Sequence, residues 1–216
     1  MTEGRRLILV LGGARGGKSD FAEELAAELG RRVLYVATAE AGDAEMQRRI
    51  EAHRRARPAH WRTAEAPRGV AGALAAQTEA SDVVLLDCLT LLVTNVLLAA
   101  GSDDPEADGC YEQVRDGLRE ELQGLHEWYV RADCHLIVVS NEVGMGLVPP
   151  YPLGRAYRDL LGWANRWLAV RADEVYLMVA GIPVEVKSLA RWQAGSVLQR
   201  DVPGSAEASP PRPRSP

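Results

Sequence analysis

The chain is poor in the residues from which covalent and metal frameworks are built. Its three cysteines, Cys88, Cys110 and Cys134, are far apart, odd in number and form no CxxC pair. That excludes a disulfide scaffold and fits a reducing compartment. There are only four histidines, and none stands at zinc-ligand spacing from a cysteine. Long apolar runs are missing too. The longest uncharged apolar stretch, residues 89–100, contains Thr94 and Asn95 and falls short of the ~20 residues a membrane span needs. Nor is there an excess of positive charge: 25 Lys and Arg face 30 Asp and Glu, for a net charge of −5. This argues against a nucleic-acid partner, which needs a basic field; segment 48–62 is a local, Arg-rich exception. Arg5 and Arg6 before the apolar residues 7–11 imitate a signal peptide. However, Arg15 and Lys18 interrupt the pattern and no small-residue cleavage site follows, so a cytoplasmic protein is expected. No internal repeat is visible.

What is present is a soluble globular composition, 47% apolar and 25% charged over 216 residues. One domain over 1–202 is expected, followed by a Pro-, Ser- and Ala-rich tail, 203–216, that cannot bury enough surface to order itself. The wholly apolar run at 7–11 reads as a parallel strand buried on both faces. A helix is predicted over 18–29, with Phe21, Ala22, Leu25 and Leu29 on its apolar face and Gly30 as its stop. A second strand is expected over 33–38 and a helix over 43–57, ended by Pro58. Beyond these come a short strand at 61–65, an alanine-rich helix at 69–80, a buried strand at 83–87 and a helix at 89–99. Helical spacing of Tyr111, Val114, Leu118, Leu122, Leu125 and Tyr129 predicts a long helix over 109–131. A strand follows at 135–140. A further amphipathic helix is marked by Tyr157, Leu160, Leu161, Ala164, Trp167 and Leu168, then come a strand at 174–179 and an edge strand at 184–187. Alternating strands and helices imply an α/β domain around a mostly parallel sheet.

Gly12-Gly13-Ala14-Arg15-Gly16-Gly17-Lys18-Ser19 matches the phosphate-binding pattern G-x-x-x-x-G-K-[ST] in full. Glycines let the backbone curl until its N–H groups face phosphate oxygens, and the helix that begins here adds its positive end. Lys18 reaches the β- and γ-phosphates, and the Ser19 hydroxyl is a ligand for Mg²⁺. The buried strand before the motif and the amphipathic helix after it separate it from a chance glycine-rich turn. Asp87 ends an apolar strand and is a second candidate Mg²⁺ ligand; the competing reading is an N-cap of the next helix. In segment 43–65, Arg49, Arg54, Arg55 and Arg57 crowd His53. These arginines suit either a solvated helix face or a triphosphate. His53 is either a partly buried structural residue or a nucleophile for phosphorus, kept neutral by the surrounding guanidinium charge. His60, His126 and His135 have no such setting and read as structural or surface residues.

Several ordered motifs now carry a resemblance. They are Gly12 to Ser19, Tyr35-Val36-Ala37-Thr38-Ala39, the stretch from Glu45 through His53 to Trp61 and Glu65, and Leu86-Asp87-Cys88-Leu89-Thr90 with Thr94-Asn95. Further along stand Ser140-Asn141-Glu142-Val143-Gly144-Met145-Gly146 with Val148-Pro149, Ala172-Asp173-Glu174-Val175-Tyr176, and Gly181-Ile182-Pro183. Over residues 7–187 the chain resembles the bifunctional adenosylcobinamide kinase/adenosylcobinamide-phosphate guanylyltransferases of cobalamin biosynthesis, the CobU/CobP family. The resemblance implies a three-layer, RecA-like P-loop fold. It implies phosphorylation of adenosylcobinamide by ATP or GTP, then transfer of GMP from GTP, through a guanylylated histidine, to adenosylcobinamide phosphate. His53 stands at that histidine, with Lys18 as the other catalytic residue. To the nucleotide contacts that the phosphate-binding pattern gives at Gly12, Gly13, Ala14, Arg15, Gly16, Gly17, Lys18 and Ser19, the resemblance adds Ala37, Thr38, Ala39, Arg54, Arg55, Ala56, Arg57, Glu65 and Asp87, and it implies a homo-oligomer, in one member a trimer. Gly16 departs from the usual serine, and Asp87 stands where some members have glutamate. Pro149-Pro150-Tyr151-Pro152 is unusually rich in proline. Two other readings stay open on the residues alone: a P-loop kinase for another small alcohol, with His53 structural, and a nucleotide-dependent regulatory module without transfer chemistry.

Overall fold

The computed structural model describes residues 4–40, 48 and 57–190. Their framework is a seven-stranded sheet made of β1 (Leu7–Gly12), β2 (Val33–Ala37), β3 (Arg62–Glu65), β4 (Val83–Asp87), β5 (His135–Val139), β6 (Glu174–Val179) and β7 (Ile182–Glu185), in the order β3-β2-β4-β5-β1-β6-β7. All pairings are parallel except β6 with β7. Leu7, Ile8, Leu9 and Val10 are at most 2% exposed, because a central parallel strand is covered on both faces. Each such side chain contributes roughly 1.5–3 kcal/mol of burial.

Pleating divides the core in two. Ile8, Val10, Val33, Tyr35, Val83, Leu85, Ile137 and Val139 face α1 (Lys18–Leu29). The alternate residues face four longer or shorter helices: α2 (Val70–Ala75), α3 (Leu89–Ala99), α4 (Tyr111–Arg131) and α5 (Pro152–Arg171). A short α6 (Val186–Leu189) follows β7. This is the three-layer, mostly parallel α/β class expected above. One strand, β5, separates the P-loop strand β1 from β4.

Several boundaries differ from the sequence expectation. The buried face of α1 is set by Ala22 and Ala26, while Phe21, Leu25 and Leu29 are only half-buried. Small residues let the helix sit close to the sheet, and Phe21 instead meets Tyr176 edge-on, 5.0 Å between ring centroids. The alanine-rich helix is limited to 70–75, where Val70 and Leu74 alone reach the core. At the sheet edge, Ala180 (φ 52°) and Gly181 (φ 82°) form a tight two-residue turn. Two successive positive φ values suit a hairpin, so the edge strand begins at Ile182 rather than at 184. Pro183 is tolerated there because it lies on an edge. The predicted helix 43–57 lies, except for Arg48 and Arg57, outside the described residues, and so does the predicted tail.

Candidate active site

Because β1 to β6 run in parallel, their C-terminal ends share one edge, where ligands of open α/β sheets bind. The register makes a row across that edge: Glu65 pairs with Ala37, Ala37 with Asp87, Asp87 with Val139 and Val139 with Val10. Residues distant in sequence therefore meet within a few strand spacings of ~4.8 Å.

The P-loop follows β1. A Cβ on Gly12 would lie 2.9 Å from the Met178 Cβ on neighbouring β6, so only glycine permits this close crossing. Gly17 caps α1 in the left-handed region at φ 80° and offers no side-chain cap. The first N–H groups of α1, which no helix satisfies internally, therefore receive no side-chain cap and suit an anion. Gly13 accepts from the Gly16 N–H at 3.2 Å and from Lys18 Nζ at 2.8 Å. Lys18 is 8% exposed. Burial lowers its pKa, and the neighbouring Cys88 and Asp87 oppose that shift. An anion in the loop would favour the ammonium further.

Helix α1 packs across β4 and β5, which carries Ser19 to Asp87 despite the intervening strand. Ser19 Oγ donates to Asp87 Oδ2 at 3.0 Å, and the Tyr35 hydroxyl donates to the same oxygen at 2.8 Å. Among the described residues, Oδ1 accepts no hydrogen bond. A serine hydroxyl beside a carboxylate fits Mg²⁺, which takes hard oxygen ligands and usually only one or two from protein beside substrate phosphates. No cluster of three or more His, Cys, Asp or Glu suited to a metal occurs among the described residues. Asp87 makes no side-chain cap for α3, whose N-cap is Cys88. Burial pushes the Cys88 thiol up to about 11, so it is neutral at physiological pH and no competing nucleophile.

Thr38 is fully buried and braces the cis Asp87–Cys88 peptide. Its Oγ1 donates to the Cys88 carbonyl at 2.7 Å and accepts from the Cys88 N–H at 2.8 Å. Asn95 Nδ2 donates to the Thr38 carbonyl at 2.8 Å. Ala37 and Ala39 flank it half-buried, and Glu65 is exposed at the end of β3. The Arg57 guanidinium carbon lies 3.2 Å from the Tyr35 ring centroid, and its Nε lies 3.9 Å from a Glu23 oxygen. That Nε is buried with no hydrogen-bond partner among the described residues. His53, Arg54, Arg55 and Ala56 lie outside the described residues. Of the other histidines, His60 is exposed, His126 packs edge-on against Trp167, and His135 Nδ1 accepts from the Arg6 N–H.

Tyr35 was not among the candidate site residues. A tyrosine in an apolar strand reads as core, and only the pairing of β2 with β4 brings its hydroxyl to Asp87. Burial and the charge of Asp87 push its pKa far up, so it remains a hydrogen-bond donor.

A phosphate loop with a buried lysine, beside a serine–carboxylate pair, suits a nucleoside triphosphate but names neither reaction nor substrate. Comparison with known proteins narrows it. The model of the family described as cobinamide kinase / cobinamide phosphate guanyltransferase matches residues 8–186. The chain belongs to this family. It is 49% identical over 179 residues to the bifunctional adenosylcobalamin biosynthesis protein CobP of Pseudomonas aeruginosa, covering 83% of this chain and 96% of that protein. It is 43% identical over 181 residues to the corresponding CobU of Salmonella typhimurium, covering 84% and 99%. Among solved structures, the RadB recombinase aligns with TM-score 0.43 and 16% identity over 80% of this chain and 73% of that one. The chain is thus an enzyme of adenosylcobalamin biosynthesis with kinase and guanyltransferase activities. Among the described residues, no helix is long and apolar enough to cross a membrane.

Proposed function

We propose that one sheet edge serves both transfers. In the kinase step, the P-loop N–H groups of residues 13–19 and Lys18 hold the β- and γ-phosphates of ATP or GTP. Ser19 and Asp87 would hold Mg²⁺, which would neutralise charge on the transferring phosphoryl group. The aminopropanol hydroxyl of adenosylcobinamide attacks the γ-phosphorus, its proton leaves, and the nucleoside diphosphate departs. In the guanylyl step, neutral His53 attacks the α-phosphorus of GTP, a P–N bond forms and pyrophosphate leaves. The phosphate of adenosylcobinamide phosphate then attacks that phosphorus, the P–N bond breaks, and adenosylcobinamide-GDP and free His53 result. Ala37, Thr38, Ala39, Arg54, Arg55, Ala56, Arg57 and Glu65 make up the remaining nucleotide-contacting set. Thr38 acts through its backbone and its bracing of Asp87, since its side chain is already engaged.

The observation that carries this reading is the meeting of Lys18, Ser19 and Asp87 at one edge, with Arg57 anchored against Tyr35 four residues along the chain from His53. The enzyme acts as a cytoplasmic homo-oligomer, trimeric by family resemblance, with a single domain over 1–202.

The test is incubation with Mg²⁺ and GTP labelled at the α-phosphate. A covalent, acid-labile, base-stable adduct should form, persist in His60→Ala and vanish in His53→Ala. The latter should retain substantial phosphorylation of adenosylcobinamide. An adduct that survives in His53→Ala and is lost in His60→Ala would refute the assignment.

A further inference from the structure

The phosphate site accounts for the nucleotide, but not for the bulk of the second substrate. A hydroxyl brought to the γ-phosphate obliges the rest of its molecule to lie outside the P-loop, along the same sheet edge. There the segment after β5 is unusual. Met145, Leu147, Val148 and Tyr151 are 82%, 97%, 66% and 60% exposed within seven residues. Apolar side chains gathered in this way mark a binding surface more often than chance exposure does.

The segment is held, so this exposure is built into the fold. At its root, Ser140 Oγ donates to Asn165 Oδ1 at 2.6 Å, Asn165 Nδ2 to the Asn141 carbonyl at 2.9 Å, and the Asn141 N–H to Thr90 Oγ1 at 2.9 Å. The Glu142 N–H donates to the Gly12 carbonyl at 3.0 Å, which ties the root directly to the P-loop. Further out, Arg158 donates to the Gly144 carbonyl at 2.6 Å and Arg155 to the Pro150 carbonyl at 3.1 Å. Beneath Gly144 runs a groove of ≈ 360 Å³ along the outer face of α5, lined by Arg158, Asp159, Gly162, Trp163 and Arg166. It combines an aromatic flank with guanidinium groups, and it adjoins the apolar segment through Gly144, which lines it and directly precedes Met145.

We infer that the rim Met145, Leu147 and Val148, with the groove beneath Gly144, binds the corrinoid substrate. This rests on the proposed function and extends it. A corrinoid is a broad ring with methyl edges and amide arms. The rim offers apolar contact to such edges, and the groove offers donors to amide oxygens. Continuity with the P-loop through Glu142 and Gly12 favours this occupant over a second copy of the chain, because it puts the ring beside the phosphate that its hydroxyl attacks.

The test is Met145→Ser/Leu147→Ser in the full chain, with Leu98→Ser, an exposed apolar residue near the far end of α3, as control. Both positions are exposed enough for folding to survive. Equilibrium dialysis against adenosylcobinamide should show affinity reduced about tenfold or more, and KM for adenosylcobinamide should rise in parallel while KM for nucleotide stays put. Labelling by GTP, which needs no corrinoid, should be unchanged, as should sedimentation. Unchanged corrinoid affinity in the double variant, or an equal loss in Leu98→Ser, would overturn the inference. So would a changed association state with both activities falling together, which would assign the rim to contacts between copies. Failure of the parent enzyme to form a GMP adduct would instead remove the proposed guanylyl mechanism, leaving the dialysis result to be judged by itself.

Discussion

Asp87 Oδ2 accepts two hydrogen bonds, from Ser19 and Tyr35, while Oδ1 accepts none among the described residues. Tyr35→Phe deletes one donor to a carboxylate, an interaction worth about 1.5–3 kcal/mol. Its phenyl ring can still support Arg57. We expect kinase turnover to fall about tenfold, with a higher Mg²⁺ concentration needed for half-maximal rate and little change in melting temperature. A titration of rate against Mg²⁺ decides this, and an unchanged midpoint would show that Tyr35 is merely core. Lys18 is a harsher case. Its ammonium is buried beside the loop it serves, and Lys18→Ala should slow the kinase step ~10²-fold or more, like the loss of another pre-organised charge-stabilising donor. Near-normal turnover would mean that the phosphate site lies elsewhere. At this scale Lys18 and Ser19 were legible in the sequence, because the motif prescribes both residues and spacing. Tyr35 was not, because a hydroxyl's partner is a matter of register between strands.

Among the elements, the turn from β1 into α1 depends most on single atoms. Gly12 lies beside β6 so closely that an alanine Cβ would meet the Met178 Cβ at 2.9 Å and its carbonyl oxygen at 3.1 Å. Backbone cannot yield as a flexible side chain does. Gly12→Ala should therefore destabilise the protein by roughly 1–3 kcal/mol, as overpacking does, and weaken nucleotide binding as the loop shifts. Thermal melting with and without GTP measures both effects; an unaltered melt would mean that β6 has room to move. The long helices α4 and α5 were legible from their apolar repeats, since a period of 3.6 over five or six turns has few alternatives. The short helix α2 and the hairpin into β7 were less so. Ala180 and Gly181 set that boundary through their backbone angles, and alanine at φ 52° has no sequence signature.

For the whole molecule, the decisive feature is that six strands end on one edge. P-loop, Asp87, Thr38, Glu65 and the segment after β5 all follow or end strands at this edge, which is why one surface is proposed for nucleotide and partner substrate. We expect little of this to depend on residues 203–216. The segment 203–216 has no apolar face, and its removal should change neither melting temperature nor turnover. A truncated enzyme that aggregates or loses activity would show that these residues pack on the domain or on a neighbour.

Taken alone, the sequence determined the fold class, the phosphate loop and the family. Those depend on local pattern: apolar period, glycine placement, and the order of several short motifs. It also singled out Asp87, though with two readings, because a strand-end carboxylate caps a helix as readily as it binds a metal. Tertiary structure shows no cap from Asp87 to the next helix, which leaves the metal reading as the proposal. It brought Ser19 to Asp87 across an intervening strand, added Tyr35, seated Arg57 on the Tyr35 ring, bonded Thr38 to Cys88, and tied the segment after β5 to the P-loop through Glu142 and Gly12. These are contacts between residues far apart in the chain: Ser19 and Asp87 differ by 68 positions, Gly12 and Glu142 by 130. No local pattern encodes such a meeting. It follows from strand order, register and the close seat of α1 on the sheet.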